Sequence, residues 1–132
     1  MYDVFISYAS EERHSVVEPI VNKLADYNLS VWYDDRRLLI GDSILTTINH
    51  GLKDSEYGVV ILSQNYFLKD WPKYELSQLS REKIDRILPV LHEITWKDLA
   101  HHAPVIANRR AVTTADGLER VCLEIIQVVR GK

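Results

Sequence analysis

One cysteine, Cys122, is all that the 132 residues contain. No intrachain disulfide can form, so a packed core has to carry the fold. Cys122 lies in an apolar helical pattern and reads as a core residue, not a catalytic thiol. No stretch approaches the roughly 18 consecutive apolar residues of a membrane span. The opening Met1-Tyr2-Asp3 enters an apolar run with no signal-peptide pattern. The expectation is a cytoplasmic domain without a membrane partner. Positive charge is scarce too. Sixteen basic residues against 19 acidic ones leave a net charge of −3. That field does not hold a phosphate backbone, and nucleic acid is not expected as a partner.

Several chemical signatures are also missing. There is no G-x-G-x-x-G, no Walker A loop and no G-x-S-x-G elbow, so a nucleotide bound here is not held in the Rossmann manner. His14, His50, His92, His101 and His102 form no H-x-x-x-H pair and join no cysteine cluster, so no metal is expected.

What is present is an alternation of short apolar runs and amphipathic patterns. Val4-Phe5-Ile6 reads as a first strand. Val17, Ile20, Val21 and Leu24 line one helix face. Leu29 to Tyr33 is rich in β-formers and reads as strand two. A polar stretch, Asp34 to Asp42, leads to Asp42 or Ser43 as N-cap of a helix carrying Ile44, Ile48 and Leu52. Gly58 to Leu62 is apolar throughout, as in a strand covered on both faces. Pro72 suits the first turn of a further helix. Ile87 to Leu91 and Ala111 to Thr113 complete the strands, and Leu118 to Val129 forms a last amphipathic helix. The predicted fold is α/β, a flavodoxin-like open parallel five-stranded sheet with helices on both faces, built as one domain over residues 1–132. Ligands of such sheets bind beyond the carboxyl ends of the strands. That singles out Ser7 to Ser10, Asp34 to Asp42, Ser63 to Trp71 and His92 to Trp96. A two-component receiver domain shares this strand order but needs a phosphoacceptor aspartate. Here strand one ends in Ser7-Tyr8 and strand three in Ser63-Gln64, which supply none.

Three segments carry a family likeness. Tyr2-Asp3-Val4-Phe5-Ile6-Ser7-Tyr8 resembles the first signature box of TIR domains. Asp34, followed by Gly41-Asp42-Ser43-Ile44, resembles their long loop between strand two and helix two. Val59 to Ser63, Asn65-Tyr66 and Trp71 to Leu76 resemble their third-strand region. The likeness spans almost the whole chain in the right order. Departures exist: Pro72 stands where many members have cysteine, Ile40 where animal receptors often have proline, and the last helix has no aromatic residue. These point toward bacterial and enzymatic relatives.

The resemblance implies an NAD⁺ glycohydrolase or cyclase acting in defence-type signalling, with Glu75 of the Trp71-Pro72-Lys73-Tyr74-Glu75 stretch as catalytic residue. NAD⁺ is then the substrate, and no resident cofactor is expected. The W-x-x-x-E spacing puts Trp71 and Glu75 on one helix face. Nicotinamide leaves NAD⁺ as a neutral molecule, so no acid is needed to protonate it. The ribose passes through an oxocarbenium-like state that one carboxylate can stabilise. A glutamate in a first helical turn is also common on any surface, because the helix dipole favours an anion there.

The resemblance also implies that Trp96 stacks on the adenine from a neighbouring subunit; the plainer reading is a partly buried loop anchor. Arg36 to Ile40 places three apolar residues after two arginines, either a contact surface or lid or a segment with Leu38 or Leu39 tucked onto the sheet. Ser7, Tyr8 and Asp34 either bind ribose or nicotinamide or are turn residues. Leu39, Gly41, Ser43 and Trp71 complete the expected substrate-binding set. The alternative function is a non-catalytic module that assembles with other TIR or sensor domains. Self-association is expected under either.

Overall fold

The computed structural model describes residues 1–33, 37–39, 41–69, 78–107 and 111–131. Its centre is β1 (Tyr2–Ala9), β4 (Ser55–Leu62) and β5 (Ile87–Leu91), flanked by two-residue strands β2 (Val31–Trp32) and β6 (Val112–Thr113). All pair in parallel in the order β2-β1-β4-β5-β6. This is the flavodoxin-like arrangement, with crossovers switching direction beside β1. A further pair, β3 (Arg37–Leu38), lies along the carboxyl end of β1 at Tyr8 and Ala9. The run at 36–40 is thus partly a strand, where a loop was expected.

Alternation along the central strands divides the core in two, because successive side chains point to opposite faces. Phe5, Val60, Leu62, Ile87 and Leu91 pack with α2 (Ile44–Asp54), α4 (Arg81–Asp85) and α5 (Trp96–His102) on one face. Val4, Ile6, Val59, Ile61 and Val90 pack with α1 (Glu18–Asp26) and α7 (Leu118–Arg130) on the other. On α7, Val121, Cys122, Ile125, Ile126 and Val129 turn inward at helical spacing, each worth roughly 2 kcal/mol of burial. Among them, burial pushes the Cys122 thiol up to about 11, which leaves it inert. The remaining helices are α3 (Gln64–Lys69) and α6 (Pro104–Ala107).

Two local details fix the register. The ring of Phe5 fills the space above Gly51 of α2 and Gly58 of β4, where an added Cβ would come within 2.5 Å of it. Pro89 lies in β5 opposite Val60, one residue before β6 begins to pair at Val90. It therefore occupies the stretch where β5 is still an edge and a missing N–H is tolerated.

Candidate functional site at the carboxyl edge of the sheet

The carboxyl ends of β1 and β4 are joined by buried polar side chains. Ser7 and Tyr8 close β1, both fully buried. Ser7 Oγ and Tyr66 Oη share a 2.7 Å hydrogen bond, and Tyr8 Oη accepts one from Arg13 Nη1 at 3.1 Å. Both stand at the expected strand end, and these bonds tie β1 to α3 and to the segment before α1.

Glu12 is 4% exposed, a carboxylate taken almost wholly out of water. Burying one is costly unless donors surround it. Ser63 Oγ donates to it at 2.6 Å and Asn65 Nδ2 at 2.7 Å. Ser63 Oγ also accepts the Tyr66 N–H at 3.1 Å, which starts α3. Its neighbour Glu11 meets Lys69 Nζ at 2.7 Å, and the Lys69 side chain is itself buried. The lysine's hydrogen bond holds the Glu11 carboxyl below its ordinary value. None of Glu11, Glu12 and Lys69 was foreseen as a functional position. The one available signal was two consecutive acids directly after a strand, at the edge where ligands bind.

The loop before α2 is anchored beside them. Gly41 adopts φ +92°, a left-handed conformation that suits glycine, and its N–H bonds to the Lys69 carbonyl at 2.7 Å. Asp42 returns its carboxylate to the Leu39 N–H at 2.8 Å, and its own N–H bonds to the Leu39 carbonyl. Leu39 is 46% exposed. Ser43 caps α2, its hydroxyl accepting the Thr46 N–H at 3.1 Å, a bond worth about 1 kcal/mol. Asp34, Trp71 and Glu75 lie outside the described residues, as does the Pro72 helix start.

Past β5 the edge opens into a cleft of about 520 Å³ lined by Ser15, His92, Thr95, Thr113, Thr114 and Leu118, among others. His92 Nδ1 pairs with Thr114 Oγ1 at 2.8 Å. Glu93 beside it has φ +56°, a conformation uncommon for a residue with a side chain. Trp96 opens α5 and is 51% exposed. A capping box holds that helix start: Thr95 Oγ1 accepts the Asp98 N–H, and Asp98 accepts the Thr95 N–H. Among the described residues, no group of His, Cys, Asp and Glu is placed to hold a metal ion. Among them, too, no helix is long and apolar enough to cross a membrane.

A parallel sheet in this order, with helices on both faces and a polar carboxyl edge with a loop latched beside it, defines a flavodoxin-like α/β module. The TIR domain family matches residues 4–122, and the chain belongs to that family. It is 39% identical over 99% of its length to the NAD(+) hydrolase TcpA of Theionarchaea archaeon. It is 36% identical over 97% of its length to the 2′ cyclic ADP-D-ribose synthase AbTIR of Acinetobacter baumannii. The chain spans 41% and 49% of the lengths of these two relatives. Among solved structures, it matches the TIR domains of the activated Roq1 resistosome with a TM-score of 0.59 at 18% identity, covering 98% of this chain and 99% of that one. That likeness is one of fold.

Proposed function

We propose that this chain cleaves the nicotinamide–ribose bond of NAD⁺, releasing nicotinamide and ADP-ribose, linear or cyclised. The supporting observation is its identity, spread over nearly the whole chain, to relatives named for this chemistry. In this reading Glu75 is the catalytic carboxylate. It stands beside the ribose, stabilises the positive charge that grows as the bond breaks and accepts hydrogen bonds from the sugar hydroxyls. The departing pyridine needs no proton, so one carboxylate suffices, and the chemistry calls for no resident metal or cofactor. Water completes hydrolysis; attack by a hydroxyl of the same molecule closes a ring.

The substrate side of the proposal comprises Asp34, Leu39, Gly41, Ser43 and Trp71 around the reacting sugar, with Trp96 as an aromatic face for the adenine. Stacking on such a face is worth roughly 1–3 kcal/mol. The setting is a cytoplasmic one, in immune or defence signalling. The test is incubation of the purified domain with NAD⁺ and chromatographic identification of products. Nicotinamide should appear, and Glu75→Gln should reduce its release more than about a hundredfold, some 2.7 kcal/mol of barrier, without moving the melting temperature. Release by a folded Glu75→Gln protein above a tenth of the parental rate would remove Glu75 from this role.

A second reading, an interaction module that passes a signal through TIR–TIR contacts, is favoured by one feature. Two large apolar side chains, Leu39 and Trp96, are exposed on segments leaving the same sheet edge. The two readings converge if a neighbour completes the site. Absence of nicotinamide at high micromolar protein, with self-association retained, would leave the second alone.

A further inference from the structure

Glu11 and Glu12 are adjacent in sequence and grip opposite ends of α3. Glu12 takes Ser63 and Asn65 at its start. Glu11 takes Lys69 at its end. Six residues make a helix only about 9 Å long, too short to persist without such support. The grip extends further through Lys69. Its ammonium reaches the turn after β1, its carbonyl accepts the Gly41 N–H, and its chain continues into Asp70 and Trp71. One buried residue thus ties the β1 turn to the loop before α2.

We infer that Glu11 and Lys69 are positioning residues for the carboxyl-edge site, acting through a clamp on α3 whose other half is Glu12. The clamp sets where the end of α3 and the Gly41 turn rest. Neither side chain needs to touch the substrate. A buried ammonium keeps its place only while its carboxylate partner is present. Removing either member frees both the end of α3 and the carbonyl that holds Gly41. Catalysis is sensitive to displacements near 1 Å, which can cost about a hundredfold. The kinetic consequence rests on the NAD⁺ reading; the clamp itself does not.

The experiment compares Glu11→Gln, Lys69→Met, Lys69→Arg and the double variant Glu11→Gln/Lys69→Met with the parental domain. It measures NAD⁺ turnover and amide hydrogen exchange at Gly41 and in α3. The expected result is a fall in kcat of about tenfold or more in the first two, with KM changed less than about threefold. Lys69→Arg should restore most of the loss. The double variant should be no worse than the poorer single one, since both break one interaction. Exchange at Gly41 and in α3 should quicken in Glu11→Gln and Lys69→Met alike. Additive losses, a change in KM alone, or kcat above half the parental value in folded variants would overturn the inference. If the parental domain releases no nicotinamide, the NAD⁺ reading falls separately and exchange decides the clamp. Quickened exchange then supports it, and unchanged exchange overturns it.

Discussion

The two ends of the sheet are both rich in polar contacts, yet they use them differently. At the amino end, Arg86 donates to the main-chain oxygens of Leu52, Ser55 and Glu56 at 2.6–2.9 Å and pairs with Glu82. Asp3 and Ser30 likewise exchange bonds through main-chain N–H groups. These contacts satisfy carbonyls and amides that the end of α2 and the starts of strands leave open. At the carboxyl end the main bonds run from side chain to side chain: Glu12 to Ser63 and Asn65, Glu11 to Lys69, Ser7 to Tyr66, His92 to Thr114. Contacts to the main chain hold a backbone that any sequence of this fold must hold. Contacts between side chains hold an arrangement that only particular residues can make. The first kind belongs to the frame and the second to the site.

That contrast can be broken or sharpened by substitution. Arg86→Ala should act as the mirror image of Glu75→Gln. It strips several carbonyls of their donor at about 1 kcal/mol each, so stability should fall by about 2 kcal/mol or more, while activity per folded molecule persists. Chemical denaturation and kinetics on the same sample would show it, and an Arg86→Ala protein that melts normally but turns over poorly would erase the distinction. Gly58→Ala comes next. Its methyl group meets the buried Phe5 ring, and overpacking of this kind costs about 1–2 kcal/mol, visible as a lower denaturation midpoint; an unchanged midpoint would mean that the ring has room to yield.

The exposed apolar side chains of the carboxyl edge should matter through concentration. Specific activity should rise with protein concentration in the parental domain. Trp96→Ala and Leu39→Asp should each lower it about threefold to tenfold, and the aspartate should also flatten the rise, since assembly would bury a charge. Light scattering that finds monomers throughout, beside flat specific activity, would sink the composite site. The smallest effect concerns pH. Lys69 holds the Glu11 carboxyl below its ordinary 4.5, so the unfolded chain binds that proton more readily than the folded one. The pair's contribution is therefore complete above pH 4.5 and is lost as pH falls through the lowered folded value. Glu11 is half exposed and solvent screens the pair, leaving about 0.5 kcal/mol. Glu11→Gln should cost that amount at pH 7 and nothing near pH 2; an equal cost at both would assign the effect to something other than charge.

How much of this could be read from the chain alone differs between frame and site. β5 matches its apolar run residue for residue, and α2 and α7 begin where the capping residue and the periodic pattern place them. Those signals are local. β2 keeps only Val31–Trp32 of the expected Leu29–Tyr33, and the chain enters it through a turn at Asn28 with φ +64°, which no apolar pattern signals. β1 grew at both ends, since its neighbours on the sheet pair with residues as polar as Tyr2 and Ser7. β3 carries an arginine and only two residues, which gives pattern reading nothing to detect. At the edge, Ser7 and Tyr8 were placed at the right strand end, but which way they face depends on helices elsewhere in the chain. The Glu12–Ser63 and Glu11–Lys69 bonds join residues more than fifty positions apart, and no spacing rule spans that distance.

Phe5, Gly51 and Gly58 constrain how this chain can change over generations. The ring occupies volume that two missing side chains leave, so the three positions are free to drift only together. An alanine at 51 or 58 becomes tolerable once position 5 carries a smaller residue, and a reversion at 5 is then blocked. Among related sequences, a bulky ring at position 5 should travel with glycine at both partners, and its replacement should precede theirs.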